Sequence, residues 1–113
     1  MPCCATHGQT LTPERQLENI RKAASQLARV ALPHQLVVTH GNGPQVGLLA
    51  LQSAVYSSEN TYPLDVLGAH TDGVLGYLLE QQLSILSPAA RTVATLLTWV
   101  EVDTENPAFG KPT

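Results

Sequence analysis

The residues best equipped for chemistry lie together in His40-Gly41-Asn42-Gly43-Pro44-Gln45-Val46-Gly47. Gly41, Asn42 and Gly43 can take backbone conformations closed to most residues with a Cβ, and a loop this small lets another molecule approach the main chain. Pro44 suits the first helical position, where a backbone N–H has no helical partner. The N–H groups of Gln45, Val46 and Gly47 would then face the loop. A helix start with free donors favours negative charge, so the segment reads as a cradle for a phosphate or carboxylate. The same residues would also make an ordinary strand-to-helix turn, and a glycine pair alone does not decide between the two.

Other reactive side chains are scattered. Cys3, Cys4 and His7 are too few and too crowded for a zinc site, and adjacent cysteines make no disulfide framework. Asp65 and Asp72 fit a helix cap and a solvent-facing acid better than metal ligands, so no residue is assigned to a metal. His40 stands at the end of an apolar run, where it could exchange protons or simply position the loop. Asn42 could hydrogen-bond a substrate or accept a left-handed turn.

The elements around the loop follow from spacing and punctuation. Thr12-Pro13-Glu14 is a helix start, with a capping hydroxyl, proline in the first turn and an acid near the positive helix end. Leu17, Ile20, Ala24, Leu27, Ala28 and Ala31 recur at helical spacing, which predicts an amphipathic helix to about Ala31. After Pro33, Gln35 to His40 is a short apolar run of the kind that parallel sheets bury on both faces. A second helix is expected from Pro44 to about Tyr56; Val46, Leu48, Leu49, Ala50, Leu51, Ala54 and Val55 surround it, so it should be largely buried. Ser57 to Thr61 has loop composition. Tyr62-Pro63-Leu64-Asp65 opens a long helix to about Leu86, with room for an interruption. Gly68, Asp72 and Gly76 give it a face nearly bare of side chain, suited to close packing, including against a second subunit, or to ligand contact. Arg91 to Val102 is rich in β-branched and apolar residues and predicts a strand with a break near Thr98. Asp103 to Pro107 reads as a turn, and no closing element is evident after it.

Composition narrows the function. A chain of 113 residues with 43% apolar content supports one domain or part of one. Charged residues are only 13% and the formal net charge is −3, which argues against nucleic-acid binding. No apolar stretch has the length of a membrane span, and residues 1–7 lack a signal peptide's apolar core, so a cytoplasmic protein without membrane contact is expected. Two strands are too few for a sheet covered on both faces, and the chain reads as part of a larger α/β fold.

The pattern becomes specific when the motifs are taken together. Thr39-His40-Gly41-Asn42-Gly43-Pro44-Gln45-Val46-Gly47-Leu48-Leu49, followed by Tyr62-Pro63-Leu64-Asp65-Val66-Leu67-Gly68-Ala69, resembles carbamate kinase of the amino-acid kinase superfamily. The resemblance extends from about Gly8 to Thr113, through Leu11 to Gln16, Gly73 to Tyr77, and Glu101-Val102-Asp103 with Asn106 to Phe109. It implies an α/β/α sandwich, of which residues 8–113 would form part of the carbamate-side N-terminal lobe, with residues 1–7 a disordered or atypical N-terminus and the nucleotide lobe absent. The implied reaction passes a phosphoryl group between ATP and carbamate, usually from carbamoyl phosphate and ADP toward ATP in arginine catabolism, with ATP or ADP and Mg²⁺ bound by a homodimer. Gly41, Asn42 and Gly43 match the family's second glycine loop, beside the transferring group, and His40 and Pro44 would position it. No catalytic residue is assigned. Residues 1–7 lack the family's Gly-Gly-Asn-Ala loop, its lysine in a Lys-Pro-Ile-Gly-like segment would fall beyond Thr113, and Lys111 does not replace it. Trp99 stands where a polar residue is expected. The isolated chain is therefore expected to be inactive and to fold poorly; the alternative is a non-catalytic remnant or a module for dimerisation or anion binding.

Overall fold

The Thr12 hydroxyl accepts the N–H of Arg15 at 3.4 Å, Pro13 follows, and Glu14 lies in the first turn of α1, Pro13–Ala31. In the computed structural model, which describes residues 12–88 and 91–111, two further helices follow: α2, Gly43–Tyr56, and α3, Leu64–Leu86. A short 3₁₀ turn, Pro107–Gly110, starts where the Asn106 side chain accepts the N–H of Ala108 at 2.9 Å. Composition had left that last segment without an element. The expectations for Cys3, Cys4, His7 and residues 1–7 lie outside the described residues.

Helix α3 runs without interruption and is the element on which both others pack. Leu67, Thr71, Leu75, Leu79 and Leu83 are all buried and recur every fourth residue, which lines them up on one ridge of the helix. Ile20 of α1 and Leu75 of α3 are completely buried against each other and Leu79, with Ala23 and Leu78 at the margin. The period-3.6 apolar stripe of α1 thus finds the face for which it is written.

The chain beyond the helices is held to them at two points. Arg91 donates to the carbonyl of Ala31, to that of Leu32 at 3.0 Å and to that of His34 at 2.8 Å, so a cation closes the carbonyl end of α1. Thr95 lies against Gly76, where a Cβ would overlap its side chain. Close packing therefore explains one glycine of the bare face. Gly68 has open space at its Cβ position instead, and Asp72 is half-buried rather than solvent-facing.

Two expectations are corrected. Neither Gln35–His40 nor Arg91–Val102 is a strand, and no strand occurs among the described residues, so the α/β class and the three-layer sandwich are not realised in them. A strand needs a neighbouring segment to take up its N–H and C=O groups, and apolar runs alone supply none. Many of their side chains stand in the open instead: Val37 is 88% exposed and Trp99 94%. Helix α2 is not largely buried either. Gln45 is its buried residue, while Leu48, Leu51, Val55 and Tyr56 are exposed, because α2 is covered only where it meets α3. The radius of gyration, 16.5 Å, exceeds the roughly 13 Å of a self-contained domain of about 100 residues, as expected when so many apolar faces are uncovered.

Candidate functional site

The glycine loop sits where the 35–42 segment enters α2. That helix begins at Gly43, which places Pro44 at its second position rather than its first. The N–H of Val46 donates to the Asn42 carbonyl at 2.9 Å, so it is not available to the loop. The donors left without a helical partner are those of Asn42, Gly43 and Gln45, a set shifted toward the loop from the Gln45, Val46 and Gly47 that the sequence predicts.

Asn42 has a defined role. Its side-chain nitrogen donates to the Gly68 carbonyl at 3.0 Å and to the Thr71 hydroxyl at 2.6 Å, clasping the loop to α3. Thr71 in turn donates back into its own helix, toward the carbonyls of Leu67 and Gly68. Asn42 does not adopt a left-handed turn, since its φ is −131°, and both of its amide hydrogens are taken up within the chain. Its side chain fixes the position of the loop.

The glycines tell a complementary story. None of Gly41, Gly43 and Gly47 has a φ in the left-handed region, and a Cβ added to any of them would meet nothing within 4 Å. The fold therefore requires glycine at none of these positions, contrary to the conformational reason the sequence suggested. What the missing side chains leave is open space over the backbone at a helix start. His40 is half-buried, and its Nδ1 is buried without a hydrogen-bond partner, so no bond through that atom positions the loop.

Beside the loop, residues of α1, α2 and α3 line an open cleft of ≈180 Å³. Thr71 lines it, which joins it to the Asn42 clasp, and so do Gln16 and Gln45. Sequence reading passed over this region. For Thr71 the available signal was a polar residue on a ridge of leucines. Gln45 was valued for its backbone, not its side chain.

Charged groups are peripheral. Lys22 donates to Glu18 at 2.6 Å on the surface of α1, and this hydrogen bond, with the lysine's charge, holds the Glu18 carboxyl below its ordinary range. Among the described residues no three His, Cys, Asp or Glu side chains come together in a metal-binding group. Asp65 lies in the first turn of α3, where its charge suits the helix dipole, but it is not the cap, a position held by Pro63. No helix among the described residues is long and apolar enough to cross a membrane.

No family model matches the chain. Its relatives are kinases, phosphoryl-transferring enzymes, and specifically carbamate kinases, to which the chain is homologous. It is 55% identical over 106 residues to the carbamate kinase of Rhizobium meliloti, covering 94% of this chain and 33% of that one. It is 53% identical over 106 residues to that of Haemophilus influenzae, covering 94% and 34%. Among solved structures, the carbamate kinase from Giardia lamblia bound to AMP-PNP matches with a TM-score of 0.80 and 31% identity, over 96% of this chain and 40% of that one. The chain spans about a third of the length of the curated relatives it matches. Its path follows a carbamate kinase even where the ladders of a sheet are not formed among its described residues.

Proposed function

We propose that this chain is the carbamate-side part of a carbamate kinase, with Gly41, Asn42 and Gly43 lying beside the phosphoryl group as it transfers. One observation carries the reading: an uncrowded glycine loop at a helix start, clasped to α3 by Asn42, in a chain homologous to carbamate kinases. In the reaction, a β-phosphate oxygen of ADP attacks the phosphorus of carbamoyl phosphate, the bond to the carbamoyl oxygen breaks, and carbamate leaves. Negative charge spreads over the equatorial oxygens of the group in flight, and the N–H groups of Gly43 and Gln45, already held in place, can stabilise it without reorganising.

By the family resemblance, the nucleotide and Mg²⁺ fall mostly to the C-terminal lobe of such an enzyme. In that setting residues 35–40 and 91–102 pair with further strands to complete an α/β/α sandwich, which as a homodimer runs the reaction in the cytoplasm. The reading is tested with the purified chain. Carbamoyl phosphate should shift the backbone amide resonances of Gly43 and Gln45 saturably, while carbamoyl phosphate plus ADP should yield no ATP. Turnover at ordinary kinase rates would overturn this division of labour, and unmoved amides would overturn the anion site. A second reading, a non-catalytic module that self-associates, is favoured by the exposed Leu96, Leu97, Trp99 and Val100. Concentration-dependent sedimentation without any response to carbamoyl phosphate would select it.

A further inference from the structure

We propose that Asn42-Gly43 is a site of spontaneous deamidation, and that the clasp of Asn42 on α3 sets the rate at which it reacts. Of the four asparagines in the chain, Asn19 precedes isoleucine, Asn60 threonine and Asn106 proline; Asn42 alone precedes glycine. In the reaction the Gly43 backbone nitrogen attacks Cγ of Asn42 and gives up its proton. The Cγ–Nδ2 bond breaks, and ammonia leaves with that proton. Solvent water then opens the resulting five-membered imide at one of its two carbonyls, leaving aspartate or isoaspartate at position 42. Glycine favours the ring closure because it has no Cβ to obstruct it. Gly43 is exposed, has open space where a Cβ would stand, and as the first residue of α2 carries an N–H with no helical partner.

The fold intervenes on the Asn42 side. Its Nδ2, the leaving group, donates to the Gly68 carbonyl at 3.0 Å and to the Thr71 hydroxyl at 2.6 Å, which holds the side-chain amide against α3. Ring closure needs the Gly43 nitrogen and Asn42 Cγ on the same side of the Cα–C bond, and the Asn42 ψ of 13° turns them apart. Rotating that bond swings away the Asn42 carbonyl, which accepts the N–H of Val46 at 2.9 Å. The reaction therefore waits on a local opening that releases the clasp and unwinds the first turn of α2. Its product cannot restore the clasp, since an aspartate at 42 has acceptors only and no N–H to give the Gly68 carbonyl. The pair thus keeps a one-way record of how long the loop has stood open. This site is independent of the anion reading and stands or falls without it.

The test incubates the full chain in mildly alkaline buffer, with and without denaturing urea, and follows each asparagine by the mass of its peptide after proteolysis. Isomerisation at Asp72-Gly73 leaves the mass unchanged and is not counted. In urea Asn42 should deamidate ahead of Asn19, Asn60 and Asn106. In buffer its rate should fall at least about tenfold, the protection expected of two hydrogen bonds and a helical turn. Gly43→Ala fits the same backbone and should slow the reaction in both conditions. Thr71→Val removes one acceptor of the clasp and should speed the reaction several-fold in buffer while leaving the rate in urea unchanged. Should that variant lose its helical circular dichroism, the ratio between buffer and urea in the parent chain decides. Reaction of Asn42 no faster than that of the other asparagines in urea, equal rates in buffer and urea, or a folded Thr71→Val that reacts no faster than the parent would each overturn the proposal.

Discussion

The two halves of α3 do different work. Its C-terminal half, from Leu75 onward, meets α1 through the apolar Ile20, Leu75 and Leu79 and takes the Thr95 side chain against Gly76. Its N-terminal half meets α2 and the glycine loop through Gly68 and Thr71, by hydrogen bonds, near Gln45, whose side-chain nitrogen and oxygen are buried without a partner. One helix thus carries a packed anchor and a polar hinge point for the loop. Apolar packing tolerates little change of shape, whereas a hydrogen-bonded clasp sets the position of a backbone segment without filling the space around it.

The comparison predicts a ranking of mutational effects. Leu75→Ala should cost the most, about 2–5 kcal/mol by the cavity it leaves, seen as a loss of helical signal at lower urea concentration. Asn42→Ala should cost less, about 1–3 kcal/mol, by removing the two hydrogen bonds that tie the loop to α3, and it should weaken the response of the Gly43 amide to carbamoyl phosphate. Equal destabilisation by the two would erase the distinction between anchor and clasp. Gly76→Ala gains about 1 kcal/mol of helix propensity but forces Thr95 away, for a net loss of about 1–2 kcal/mol. Adding Thr95→Ala should restore stability, and failure of that rescue would mean that the glycine is not there for Thr95.

Lys22→Gln should have the smallest effect. The Glu18 carboxyl titrates lower in the folded chain than in the unfolded one, because of Lys22. Its contribution is therefore present above the unfolded carboxyl's pKa and is lost as the pH falls through the lowered folded value. The difference between Lys22→Gln and the parent chain should vanish in acid and in high salt, as measured by thermal melts.

Helices were legible in the sequence because their signals are local. Thr12-Pro13 and Ala31 bound α1 as expected, and α2 and α3 end at Tyr56 and Leu86 as their spacing indicates. The runs at 35–40 and 91–102 carry strand composition, but a ladder is a property of two segments, and the described residues bring no second one alongside. Burial of α2 failed for a related reason: an all-round apolar helix says that cover is needed, not that it is present. The loop was readable as a motif, whereas the residue that holds it was not. Asn42 finds Thr71 at a separation of 29 residues, which no local pattern encodes. Arg91 likewise reaches back across 60 residues to Ala31.

Trp99 is the sole tryptophan of the chain and is almost wholly in water. Its indole makes the uncovered 91–102 segment spectroscopically visible without any label. Emission should be red-shifted and easily quenched by iodide in the isolated chain. Whatever comes to lie on this segment, a further part of a kinase or a second copy, should announce itself as a blue shift with slower quenching, so that one intrinsic fluorophore reports the assembly the rest of the fold awaits.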